Sequence, residues 1–167
     1  MRIRTVVVAV SSVLALFISV QPASAQDKKP EFAIGYNFLR ELETGGANVP
    51  SGWGASVAAP MGQGMLKVVG DISGHYKNGG RLHFFQGGVE FAGKNPTATP
   101  FFRALAGLGV SSGGGSSDSA FVFTPEFGVK TKGSGRVGGQ FAVGFPIVRD
   151  SGDTFKHLRL FLGITVQ

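Results

Sequence analysis

The chain has 167 residues, no cysteine, 27 glycines, a formal charge of +6 and only 16% charged residues. The missing thiols exclude disulfides and cysteine chemistry, and cations scattered mostly singly argue against a nucleic-acid surface, which clusters them among aromatics. Charge this sparse is also too little to clothe a water-soluble β-sandwich, yet after residue 25 no apolar run is long enough to cross a bilayer as a helix.

The first 25 residues read as a cleavable signal peptide. Arg2 and Arg4 form a positive start, Thr5 to Val20 an apolar middle, and Pro22-Ala23-Ser24-Ala25 a small-x-small cleavage site. The apolar middle falls short of the roughly 20 residues a spanning helix needs, and no cysteine follows to take a lipid. Cleavage after Ala25 leaves 142 residues with a formal charge of +4, the size of one domain. A short segment, 26–30, precedes the domain expected over 31–167.

From residue 31 onward apolar and polar residues alternate in about eight short runs, and a period of two means strands with two unlike faces. Strand one (Glu31 to Leu39) sets Phe32, Ile34, Tyr36 and Phe38 against Ala33, Gly35 and Asn37. After a loop at 43–48, strand two (Gly52 to Ala59) sets Trp53, Ala55, Val57 and Ala59 against Gly54, Ser56 and Ala58. A turn at 60–64 leads to strand three (Met65 to Tyr76), with Leu66, Val68, Ile72 and Tyr76 opposing Lys67, Asp71, Ser73 and His75. Lys77-Asn78-Gly79-Gly80 is a hairpin signal, because Asn-Gly accepts the positive φ angles of a tight turn.

Strand four (Arg81 to Phe91) has the least regular phase. Placing Phe85, Gly87, Val89 and Phe91 outward sends Gln86, Gly88 and Glu90 inward, and Phe84 with them. Beyond a turn at 94–97, strand five (Pro100 to Val110) pairs outward Phe102, Ala104, Ala106 and Leu108 with inward Arg103, Gly107 and Gly109. Ser111 to Ser119 is Ser/Gly low complexity and reads as an exposed flexible loop. Strand six (Ala120 to Lys130) carries Phe121, Phe123, Phe127 and Val129 on one side and Thr124, Glu126, Gly128 and Lys130 on the other. Strand seven (Arg136 to Phe145) sends Val137, Phe141 and Val143 out and Gly138, Gln140, Ala142 and Gly144 in. Strand eight (Phe155 to Gln167) opposes Leu158, Leu160, Leu162, Ile164 and Val166 to His157, Arg159, Gly163 and Thr165.

This is the pattern of an all-β, eight-stranded antiparallel up-and-down transmembrane β-barrel, whose apolar face meets lipid and whose backbone groups pair between strands. Aromatics near strand ends (Trp53, Tyr76, Phe91, Phe102, Phe121) suit interfacial girdles. A polar lumen network is expected from Lys67, Asp71, Glu90, Arg103, Glu126, Lys130, Arg136 and Arg159, because isolated charges inside a narrow barrel are very costly. Asp71, Ser73 and His75 share a face at i, i+2 and i+4, the residue types of a hydrolase. Same-face neighbours on a strand stand nearly 7 Å apart, however, beyond a nucleophile–base hydrogen bond, so no catalytic residues are assigned. Neither metal-ligand spacing nor a cofactor motif is present in the sequence.

The segments Gly52-Trp53-Gly54-Ala55-Ser56-Val57, Val69 to Tyr76 and Pro100 to Gly109 resemble the outer-membrane β-barrel domain family, the OmpA-like and OmpX-like eight-stranded barrels. The resemblance implies an eight-stranded barrel inserted by the barrel assembly machinery, without enzymatic activity. The leader and the repeated alternation themselves point to the outer membrane of a Gram-negative-type cell, with outer-membrane lipid as partner and no nucleic acid. The oligomeric state is not legible, a monomer being the favoured expectation. Many such proteins end in Phe, whereas this chain ends Ile164-Thr165-Val166-Gln167. The expected function is a structural or surface-interaction role. The competing reading is a periplasmic lipocalin-like barrel that turns its aliphatic face inward around a small lipophilic ligand.

Overall fold

A computed structural model describes residues 29–43, 48–49, 51–61, 65–95, 97–114, 116–133, 135–150 and 152–167. The leader expected over 1–25 lies outside the described residues, as do residues 26–28 and parts of the loops at 43–48 and 60–64.

The strands are β1 (Glu31–Glu41), β2 (Ser51–Pro60), β3 (Leu66–Lys77), β4 (Gly80–Ala92), β5 (Ala98–Gly113), β6 (Ser116–Lys132), β7 (Val137–Gly144) and β8 (Asp153–Val166). Each pairs antiparallel with the next, and β1 closes the ring on β8 from Phe32↔Val166 to Glu41↔His157. Two short pieces complete the ring. Asn48–Val49 lies on β1 ahead of β2, one residue out of β2's register. Ile147–Asp150 continues β7 in unchanged register on both neighbours. The break between falls at Phe145-Pro146, where proline has no N–H for the ladder. The Pro146 carbonyl still accepts from the His157 N–H at 2.9 Å.

Following paired residues once round the ring shows its stagger. Phe32 leads through Val57, Gly70, Gly87, Ala106, Phe123, Ile147 and Lys156. The circuit returns at Leu42, whose N–H reaches the Lys156 carbonyl at 2.8 Å, ten residues beyond the start. Eight strands with that stagger tilt by about 40° to the barrel axis and leave an interior that side chains just fill.

The phase of every strand puts the greasy side outside. Phe32, Ile34, Phe85, Phe91, Phe121, Phe127, Leu162 and Ile164 are all exposed, Leu162 by 66%. Their neighbours Ala33, Phe84, Gln86, Glu90, Val122, Glu126 and Phe161 are buried. β4 keeps strict alternation through its awkward stretch, with Phe84 fully inside and Phe85 out. A lipocalin-like carrier needs the reverse arrangement, an aliphatic interior.

The Ser111–Ser119 segment departs from the expected loop. It is paired strand, from Ser111↔Asp118 to Gly113↔Ser116, with Gly114 at φ 59° in the turn. Ladder pairing uses backbone groups alone, so a Ser/Gly run costs the hairpin side-chain contacts but not its hydrogen bonds. At the predicted tight turn over Lys77 to Gly80, Asn78 and Gly79 both adopt positive φ (49° and 80°).

Inside so narrow a ring, inward Cβ atoms meet the next strand's backbone. A Cβ at Gly107 would lie 2.0 Å from the Phe85 carbonyl, whereas one at outward Gly70 would find only Val57 at 3.5 Å. Gly107→Ala is therefore expected to lose roughly 1–3 kcal/mol through overpacking, and Gly70→Ala to stay within about 0.5 kcal/mol. Urea unfolding in detergent micelles compares the two; equal midpoints would contradict the crowded interior.

Candidate functional site

The interior carries the chemistry, because alternation sends alternate residues of every strand inward. β1 contributes Glu31, β3 Lys67 and Asp71, β4 Glu90, β5 Arg103, β6 Glu126 and Lys130, and β8 Arg159. β2 and β7 face this layer mostly with small residues, including Ala58, Gly138, Ala142 and Gly144, the exception being Gln140 beside Lys130. They leave room for the long side chains from the other six strands.

Four carboxylates and four cations make a formally neutral, continuous set. Arg159 Nη1 donates to Asp71 Oδ1 at 2.9 Å, and its Nη2 pairs with Glu126. Arg103 joins Glu126 to Glu90, donating from Nη1 to Glu126 Oε1 at 3.1 Å and from Nε to Glu90 Oε2 at 2.7 Å. Lys130 Nζ donates to both Glu90 oxygens at 2.7 and 2.8 Å and pairs with Glu31. Lys67 bridges the same two acids, 3.1 Å from Glu90 and 3.4 Å from Glu31. Phe101 lies against both Arg103 (4.7 Å) and Lys130 (4.8 Å), offering its ring face to each cation. Gln167 Nε2 donates to Glu31 Oε2 at 2.8 Å, so the set reaches the ring's terminus-bearing end.

Away from that end the lumen loses charge. Gln86 and Thr124 exchange hydrogen bonds at 2.9 and 3.2 Å. Leu39, Phe84, Val122 and Val148 then form an apolar plug, with Leu82, Ala120 and Phe155 against it. Above the plug, at the end away from the termini, two shallow hollows of about 260 and 200 Å³ open to the outside. His75 lines the first, its ring 5.6 Å from that of Phe84.

Asp71, Ser73 and His75 project inward together but do not join. Asp71 is held by Arg159, while Ser73 Oγ and both His75 ring nitrogens have no hydrogen-bond partner among the described residues. Among the described residues no group of three or more His, Asp or Glu is arranged to hold a metal, and the network's acids are each engaged by cations.

Of the eight residues named for the lumen from periodicity, the structure gathers Lys67, Asp71, Glu90, Arg103, Glu126, Lys130 and Arg159. Arg136 stands apart. It is exposed in the turn before β7, and its backbone carbonyl accepts from the Gln167 N–H at 3.0 Å. The alternation that would have aimed it inward begins one residue later, at Val137. Glu31 and the Gln167 side chain were missed. Glu31 shares the inward phase of Ala33 and Asn37, so its signal was present at the strand's first residue. Gln167 closes the expected eighth strand in the inward phase of Gly163 and Thr165, so its signal was present too, one residue past the observed strand's end.

No family profile matches the sequence, and no curated protein matches it. Solved structures do. Neisserial surface protein A superimposes with a TM-score of 0.66 at 13% identity, over 82% of this chain and 96% of that one. Ail, the attachment invasion locus protein of Yersinia pestis, matches at 0.55 and 14% identity over the same shares. Ail in a phospholipid bilayer nanodisc matches at 0.53 and 13%, over 82% of this chain and 97% of that one. The chain has the fold of these eight-stranded outer-membrane barrels.

Removing one partner of a buried ion set strands the others without water. Arg159→Met is expected to lose about 3–5 kcal/mol, with Asp71→Leu in the same chain recovering part of it. Arg136→Gln should stay within about 0.5 kcal/mol. Urea unfolding in lipid vesicles separates these outcomes, and an unchanged Arg159→Met midpoint would show that the network is not structural.

Proposed function

Starting from the fold of an outer-membrane barrel, we propose that this protein is an integral outer-membrane β-barrel with a structural or surface-interaction role, no pore and no catalytic step. The observation that carries the reading is the division of the two strand faces. Apolar side chains cover the outside, as a bilayer requires of a spanning barrel, and the neutral ion set closes the inside. In this reading the leader delivers the chain across the inner membrane, and the barrel assembly machinery inserts it as a monomer. The terminus-bearing end faces the periplasm, and the β5–β6 hairpin projects outward.

The lumen network acts as a structural plug. Eight charges linked across six strands lock the ring's register, since slipping one strand by a residue would turn its charged side chain toward lipid. The apolar plug above adds a second closure. Asp71, Ser73 and His75 support no hydrolase reading, because Asp71 is occupied and no hydrogen bond links the other two. Contact with partners then falls to the outward hairpins and the shallow mouth.

Three measurements test this. Cell fractionation should place the protein in the outer membrane, with detergent dependence and heat-modifiable migration; a detergent-free periplasmic monomer would sink the reading. In planar bilayers the protein should show no unitary channel steps. Finally, Leu162→Arg, at the middle of the lipid-facing belt, should cost about 2–4 kcal/mol in vesicles, while Ser117→Arg on the projecting hairpin should cost under about 1 kcal/mol. Equal costs would mean that Leu162 does not face hydrocarbon.

A further inference from the structure

Charge on this barrel is sorted by face. In the described strands every acid occupies the inward phase: Glu31, Glu41, Asp71, Glu90, Asp118, Glu126, Asp150 and Asp153. The outward phase carries cations alone, and only near the end away from the termini. Three of these, Arg40 on β1, Lys156 on β8 and Arg149 on the continuation of β7, sit on consecutive strands across the closure seam. All three are exposed, and none belongs to an ion pair among the described residues. Their chain neighbours Glu41, Asp150, Phe155 and His157 line the mouth, so the cations point away from it.

The register brings the three to one depth. Arg40 faces Leu158, and Lys156 lies two residues farther from the terminus-bearing end on the same face. Lys156 in turn faces Ile147, and Arg149 lies two residues farther again. The ten-residue stagger per circuit means that a level path in this direction climbs a little over one residue per strand. Diagonal steps of two residues therefore nearly hold the level. Such neighbours are about 7–8 Å apart, so the cluster spans roughly 15 Å.

The depth itself is informative. On the adjoining strands Trp53 Nε1 donates to the Tyr76 hydroxyl at 3.1 Å, an outward aromatic pair of the kind that marks a membrane interface. Trp53 faces Tyr36 on β1, four residues below Arg40. The cations thus stand just above the apolar belt. At the periplasmic end the matching outward positions are Phe32, Leu66, Phe91, Phe102, Val137 and Val166, all uncharged.

We infer that Arg40, Lys156 and Arg149 form a binding site for a phosphorylated, polyanionic lipid headgroup in the outward-facing leaflet. The inference rests on the outer-membrane reading above. Three cations with no outward acid beside them complement a headgroup bearing two phosphates about as far apart as the cluster's ends. Cations at the hydrocarbon boundary can donate to phosphate while their stems lie along apolar surface. Each basic group near an anionic membrane surface is worth about fivefold in affinity, so loss of all three removes well over tenfold.

The full mature chain is folded into phosphatidylcholine nanodiscs and titrated with dansyl-labelled lipid A, read by energy transfer from Trp53, the sole tryptophan. The variant Arg40→Gln/Lys156→Gln/Arg149→Gln should bind more than tenfold more weakly, with migration and heat modifiability unchanged. Lys94→Gln/Lys132→Gln/Arg136→Gln, at the periplasmic turns, should bind as the unaltered protein does. Equal binding of dephosphorylated lipid A, undiminished binding by the first variant, or equal loss in the second would overturn the site. Displacement by millimolar inorganic phosphate would also overturn it, reassigning the cluster to free anions. If the unaltered chain fails to insert at all, the membrane reading falls and the site falls with it.

Discussion

Charges sealed inside an eight-stranded ring have no water to turn to, so each must find its counterion on another strand. That requirement organises the molecule. Arg103 and Arg159 are 1% and 2% exposed, yet each reaches two acids from different strands. Burying an isolated ion costs several kcal/mol, and only good geometry with further hydrogen bonds offsets it. The barrel therefore holds one arrangement of its strands, the one in which every carboxylate of the network meets a cation.

The same ring explains the glycines and small residues of the inward phase. Long side chains from six strands fill the lumen only because β2 and β7 and several inward glycines yield the space. Where charge ends, the interior turns apolar at Leu39, Phe84, Val122 and Val148, and the lumen is closed a second time by packing. A lumen closed twice argues against conduction and shifts interest to the exterior. There a sparse set of cations stands out against an otherwise uncharged belt.

Much of this was legible in the linear chain. Period-two alternation identified all eight strands and which residues share a face, because a strand has only two faces; which face turns inward was chosen from composition, the polar phase being rich in Gly and Ala. Even Phe84 followed from its neighbours' phase against its own hydrophobicity. The misreadings have physical causes. The Ser/Gly run at 111–119 lacks side-chain signal, yet pairs through its backbone. Pro146 hid the continuation of β7, because a residue without an N–H looks like an ending when it is only a gap in the ladder. Arg136 was assigned to the lumen one residue before its strand begins.

Alternation along one strand thus determined which residues share a face, and composition favoured the greasy face as the outward one. Only the closed ring decided who meets whom. Arg159 and Asp71 are 88 positions apart, and Gln167 reaches Glu31 across 136. No local pattern contains those distances. They arise from the stagger of ten residues per circuit, which also brings Arg40, Lys156 and Arg149 to one depth. That stagger is a property of all eight pairings together, since closure must return the last strand to the first with its hydrogen bonds in register.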